Sequence, residues 1–194
     1  MSDTEKPLPT PSIGGQSSSS STLNALMPKT LSPDGLKGIP DFNFITYWTL
    51  TEPMAKIIEQ EFGIYYVVPI IQSSHESRNG NSGLARNHCN LFGIVATDTW
   101  KKNGGSIANL PTWEEIKGKR IEMKREFRKY TSWEYSFRDW AKLISGLNIY
   151  KKAYEFLKNK ETVPDGIMEM AKVYATDSKY AHKLLAIYNE VKTA

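Results

Sequence analysis

The sequence predicts a mainly helical α+β domain with one small β-hairpin, preceded by an arm that does not pack. Three observations predict it. Apolar residues recur at helical spacing through most of the chain after residue 50. A single segment, 120–127, instead alternates between apolar and polar residues. The first forty residues are too polar, and too broken by proline and glycine, to bury a core.

Pro7, Pro9, Pro11 and Pro40, the pair Gly14-Gly15 and the serine run Ser17–Ser21 mark residues 1–40 as a disordered or extended arm, with the folded domain spanning 41–194. Leu23-Asn24-Ala25-Leu26-Met27 offers the arm a short anchoring contact. Thr51-Glu52-Pro53 has the form of a helix start, with an N-cap and a proline early in the first turn. Met54, Ile57, Ile58 and Phe62 give that helix its apolar face, and Gly63 ends it.

The apolar run Tyr65–Ile71 predicts a buried central helix reaching about Arg78, with Pro69 tolerable in its first turn or at a bend. Gly80 and Gly83 are expected to stop this helix and turn the chain through the left-handed conformation. Gly83 to Ile94 reads as a loop with a short helical turn, with Leu91 and Phe92 in the core and Gly93 at a close turn. Thr99 to Gly105 is polar and flexible.

Ile121, Met123 and Phe127 then lie on one side of a strand, and pairing with Thr112–Ile116 through Lys117-Gly118 makes the hairpin. Its basic residues Lys117, Lys119, Arg120, Lys124, Arg125 and Arg128 are expected to form a solvated face. Thr131 and Glu134 stand at capping-box spacing before a helix whose buried stripe is Trp133, Phe137, Trp140, Ile144 and Leu147. Three shorter helices close the chain: 150–158, 166–174 and 177–192, the last with Asp177 as N-cap.

Composition removes several functions. At 194 residues the chain is one domain, or one domain with a tail, and its 40% hydrophobic content suffices for a core. No apolar run approaches the ~20 residues of a membrane span. A lone cysteine, Cys89, excludes an intramolecular disulfide. His88 and Cys89 are adjacent, which suits neither a nucleophile–base pair nor a metal site, so no metal or cofactor is expected. No phosphate-binding glycine loop or nucleic-acid module occurs. The net charge of +4 suits an anionic surface such as a cell wall, nucleic acid or lipid, and fits a slightly basic solvated surface equally well.

One carboxylate stands out. Glu76 ends the buried apolar helix, where partial desolvation would raise its pKa and suit it to general acid catalysis; the alternative is an ordinary solvated residue at a helix end. Its surroundings carry a pattern. Ser74-His75-Glu76-Ser77, then Gly80-Asn81-Ser82-Gly83-Leu84-Ala85-Arg86, then Asn90-Leu91-Phe92-Gly93-Ile94 resemble the N-acetylglucosaminidases of glycoside hydrolase family 73. Further matches follow in the family's order: Thr112-x-Glu114, Phe127-Arg128-x-Tyr130-x-Ser132, Ser136-Phe137-Arg138-Asp139, and Tyr174-Ala175-Thr176-Asp177 with Tyr180-Ala181. The resemblance covers roughly residues 57–191.

It implies a lysozyme-like domain that cleaves the β-1,4 bond between N-acetylglucosamine and N-acetylmuramic acid in peptidoglycan. Glu76 is then the general acid and Glu114 the second acid. Glu115 stands where the family usually has tyrosine, so the second acid is Glu114 or Glu115; strand alternation lets only one face the substrate. A route through attack by the substrate's own acetamido group stays open. Tyr174 matches a tyrosine lining the cleft, or else serves as a core aromatic. Asn90 is placed to bind a sugar hydroxyl or the backbone of its own turn, and Trp100 and Trp113 to stack on sugar faces. Asn79 departs from the family, whose members often have tryptophan there.

Two alternatives remain: a muramidase or lytic transglycosylase, and a non-catalytic peptidoglycan-binding component of a phage tail or a secretion or injection apparatus. A compact enzyme has no need of a forty-residue arm, which favours a tether to such an assembly over a passive linker. Met1–Lys6 lack the basic start and apolar core of a secretory signal. The expectation is therefore action on the bacterial cell wall after delivery by a dedicated apparatus or phage.

Overall fold

The computed structural model describes residues 31–116 and 119–193, with the side chains of 112–121 and 123 outside that description. In chain order the elements are α1 (Phe44–Phe62), α2 (Val67–Ser77), α3 (Gly83–His88), α4 (Asp98–Lys102), β1 (Ile107–Ile116), β2 (Lys119–Arg128), α5 (Trp133–Gly146), α6 (Lys151–Leu157), α7 (Val163–Tyr174) and α8 (Tyr180–Thr193). This is the expected mainly helical α+β arrangement.

Helix α2 is the hub. Val67, Val68, Pro69, Ile70, Ile71, Gln72, Ser73, Ser74 and Ser77 are all buried, and α1 and α8 pack against it. Pro69 sits in its first turn, where its missing N–H costs no internal bond. The buried hydroxyls are satisfied locally: Tyr47 donates to Ser73 Oγ at 2.7 Å, and Ser77 donates to the Ser73 carbonyl at 2.5 Å. Trp133, Phe137, Trp140 and Ile144 of α5 are fully enclosed, as their stripe predicts.

Several boundaries differ from expectation, each because packing outweighs a local signal. Helix α1 starts at Phe44 with Asn43 as its cap, so Pro53 lies inside it. Burial of Tyr47 and Thr51 against α2 recruits the preceding turns, and Thr51 Oγ1 bonds back to the Tyr47 carbonyl at 2.8 Å. Arg78 and Asn79 take the left-handed conformation after α2 together with Gly80, whereas Gly83 is the first residue of α3 under a Ser82 cap. At Gly80 a Cβ would lie 2.4 Å from the Trp133 ring. The capping box before α5 does not form: Ser132 is the cap position, and Glu134 pairs with Arg138 at 3.1 Å. Asp177 precedes α8 in a turn, accepting from the Lys179 N–H at 2.9 Å, and the helix begins at Tyr180.

Residues 31–40, assigned by composition to the arm, pack on the domain. Leu31 and Leu36 join the core, and the Trp133 N–H donates to the Leu31 carbonyl. The Arg86 guanidinium donates to the carbonyls of Leu36, Ile39 and Pro40, closing the segment over α3. The rest of the arm lies outside the described residues.

The hairpin pairs antiparallel from Ile107↔Arg128 to Ile116↔Lys119, longer than expected, with its turn at 117–118 outside the described residues. Its base is stitched to the segment after the Asn90–Gly93 turn: Val95 bridges Phe127, and the Arg128 N–H donates to the Ile94 carbonyl. Lys124 and Arg125 are exposed as expected, but Arg128 is buried. Its Nη1 lies 2.9 Å from both carboxylate oxygens of Asp139, to which Tyr130 also donates at 2.5 Å. A carboxylate within reach makes that burial tolerable.

Candidate active site

Glu76 lies in the last turn of α2, partly buried and one helical turn after Gln72, so the two side chains share a face. Tyr180, the first residue of α8, meets both. Its hydroxyl donates to Glu76 Oε1 at 2.5 Å and accepts from Gln72 Nε2 at 3.0 Å. Gln72 Oε1 in turn accepts from the Trp140 indole N–H at 2.8 Å. Glu76 Oε2 faces Gly93, where a Cβ would stand 3.8 Å away. Gly93 has φ 66°, so the turn that carries the chain past this carboxyl favours glycine.

Aromatic rings pack around this run of hydrogen bonds. Tyr174 stacks on Tyr180 with centroids 6.1 Å apart and planes at 9°, and His75 meets Tyr180 edge-on at 5.6 Å. Phe92 stacks on Trp140 at 5.2 Å. Burial pushes the Glu76 pKa above the ordinary carboxylate range, opposed by the Tyr180 hydrogen bond, which favours the ionised form. Burial and the neighbouring Glu76 charge raise the Tyr180 pKa far above neutral, so it remains a neutral donor. His75 is pushed down by burial and by Lys183, and is neutral at pH 7.

The other predicted site residues are distributed unevenly. Tyr174 comes within one ring of Glu76, but its hydroxyl donates to the Phe92 carbonyl at 2.6 Å, tying α7 to the Asn90–Gly93 turn. Asn90 is 1% exposed and spends its amide on backbone. Nδ2 donates to the carbonyls of Ile94 and Arg128, and Oδ1 accepts from the Ile94 N–H. Its amide braces the turn. Trp100 lines a separate surface cleft of about 180 Å³ with Ser106, Lys129, Tyr130 and Tyr135. One of its faces is covered by the Arg128 guanidinium at 4.6 Å.

The backbones of Glu114 and Glu115 pair with Ile121 and Arg120, and their side chains, like that of Trp113, lie outside the described residues. Glu114 is seven residues up β1 from the base pair at Ile107, ~24 Å of strand.

Sequence reasoning assigned no role to Gln72 or Tyr180. The four-residue spacing of Gln72 and Glu76 and the Tyr180-Ala181 match were the available signals; the meeting of Tyr180 with Glu76 is long-range, 104 residues apart in sequence. Cys89 is buried, its thiol pushed up to about 12 by burial, so it is no nucleophile at neutral pH. Among the described residues no cluster of His, Cys, Asp or Glu could hold a metal, and no helix is long and apolar enough to cross a membrane.

The mainly helical build with one small hairpin is lysozyme-like, and a half-desolvated glutamic acid closes its central helix. Comparison with known proteins agrees. Residues 52–193 match the family described as mannosyl-glycoprotein endo-beta-N-acetylglucosaminidase, and the chain belongs to that glucosaminidase family, glycoside hydrolase family 73.

It is 29% identical over 145 residues to the peptidoglycan hydrolase FlgJ of Pseudomonas aeruginosa, covering 73% of this chain and 35% of that protein. To the exo-glucosaminidase LytG of Bacillus subtilis it is 33% identical over 135 residues, covering 69% of this chain and 46% of that protein. The chain thus spans less than half the length of these relatives. The catalytic domain of the autolysin Auto from Listeria monocytogenes has the same fold, with a TM-score of 0.65 at 23% identity over 92% of this chain and 97% of that one.

Proposed function

We propose that this domain hydrolyses the β-1,4 bond between N-acetylglucosamine and N-acetylmuramic acid within peptidoglycan strands, with Glu76 as the proton donor. The observation that carries this is the state of the Glu76 carboxyl. Burial holds it toward the protonated form, one oxygen is engaged by Tyr180, and the other faces Gly93. A proton passes from that free oxygen to the glycosidic oxygen as the sugar C–O bond breaks, the electron pair leaving with the oxygen. Such assistance contributes roughly 10²–10⁴ in rate.

Glu114, carried on the hairpin, is our candidate for the carboxylate that activates water or steadies the oxocarbenium-like transition state, and Glu115 its one-residue alternative. The names of the FlgJ and LytG relatives support peptidoglycan and a glucosaminidase bond preference. The site of action is then the bacterial cell wall. The proline-, glycine- and serine-rich residues 1–30 suit a tether to a larger delivery assembly.

Reducing-end analysis of digested peptidoglycan tests the bond. New N-acetylglucosamine ends support the proposal, whereas muramic acid ends or their anhydro form refute it, and product length separates internal from terminal cleavage. Turbidity loss of purified walls with Glu76→Gln tests the acid. Equal clearing by wild type and variant removes Glu76 from the mechanism, and no clearing by wild type favours a binding role.

A further inference from the structure

We propose that Trp140, Gln72 and Tyr180 form a one-way hydrogen-bond chain that dictates which oxygen of Glu76 carries the transferable proton. The inference rests on Glu76 being the proton donor, and it assigns positioning roles to three buried residues that act through its carboxyl.

The polarity follows from the donor inventory. An indole N–H donates and accepts nothing. Trp140 Nε1 lies 2.8 Å from the Gln72 side chain, so the atom it meets is the amide oxygen. The orientation of an amide is ordinarily ambiguous; here Trp140 decides it. The Gln72 NH₂ group must then face Tyr180, 3.0 Å away, and the phenolic oxygen accepts from it. Tyr180 has one proton left to give, and Glu76 Oε1 lies 2.5 Å off. Oε1 is thereby held as an acceptor, and the proton of the neutral acid belongs on Oε2. That is the oxygen facing Gly93, 3.8 Å from where a Cβ at that position would stand.

Every link is held rigidly. Trp140 is fully buried and stacked on Phe92, Gln72 is fully buried, and Tyr180 is stacked on Tyr174. The elevated pKa of Tyr180 keeps its proton in place across the working range. After transfer, the same Tyr180 bond stabilises the Glu76 carboxylate, so the chain serves both halves of the proton's cycle.

The test is the pH dependence of glycan cleavage by the full chain, with melting temperature followed alongside, for Glu76→Gln, Tyr180→Phe and Gln72→Glu. Tyr180→Phe keeps the ring and removes the donor. We expect kcat to fall about tenfold with KM nearly unchanged. The alkaline limb should move to higher pH, because the bond that favoured the carboxylate is gone. Gln72→Glu keeps the shape, and wherever the new carboxyl is ionised it presents only acceptors, so the Tyr180 proton turns away from Glu76. It should cost more than Tyr180→Phe and move the limb in the same direction.

A purely structural role would lower the melting temperature and activity without moving the limb, and that result overturns the chain. So does an inert Glu76→Gln beside wild-type profiles for the other two variants. An active Glu76→Gln instead overturns the underlying assignment of Glu76, an outcome distinct from either.

Discussion

Asp139→Asn is the most informative single change outside the candidate site. Arg128 is 3% exposed, and its Nη1 lies 2.9 Å from both Asp139 oxygens, while Tyr130 donates to the same carboxylate at 2.5 Å. The substitution leaves a guanidinium charge out of water opposite a neutral amide. Breaking a buried pair from one side costs about 3–5 kcal/mol, a large share of the roughly 5–15 kcal/mol that holds a domain together. At about 2–4 °C per kcal/mol for a chain of this size, the melting temperature should fall by about 6–20 °C.

Urea unfolding followed by circular dichroism measures the cost directly, and a triple variant isolates its origin. Arg128→Met, Asp139→Leu and Tyr130→Phe together remove both charges and the hydroxyl that would lose its acceptor. That variant should recover to within about 2 kcal/mol of wild type, because apolar groups of similar volume replace the pair. A cost below 1 kcal/mol for Asp139→Asn, or a triple variant worse than the single one, would refute the reasoning that the pair is dry and its charges interdependent. Because Arg128 ends β2 and its carbonyl accepts from Asn90, wall-clearing activity should decline along with stability.

Three further outcomes are expected. Gly80→Ala should destabilise by about 2–4 kcal/mol in urea melts, since the added Cβ meets the enclosed Trp133 ring at 2.4 Å from a backbone at φ 76°. Leu36→Ala should cost about 2–4 kcal/mol, and deleting residues 31–40 should lower the melting temperature, whereas removing residues 1–30, by their composition, should not. Glu76→Gln should raise the melting temperature at pH 8 and leave it nearly unchanged at pH 4. A carboxyl whose pKa is raised by burial costs nothing below its unfolded value, and costs progressively more as pH climbs through the folded one. Identical differences at both pH values would show that desolvation of Glu76 is not felt.

By itself the sequence determined the helical class, the hairpin, the α5 stripe and the prominence of Glu76, because these depend on periods of two and 3.6 residues and on spacings within one motif. It misjudged what depends on distant partners. Helix α1 begins before its proline because Tyr47 packs on α2. Arg128 leaves the solvated face because Asp139 waits 11 residues on in the next helix. Leu31 and Leu36 join the core because α3 and α5 hold them there. Only the tertiary structure brought Tyr180 to Glu76 across 104 residues and joined the Asn90 amide to the Arg128 carbonyl at the end of the hairpin. A hydrogen bond's direction depends on all the donors around it, and no local pattern lists them.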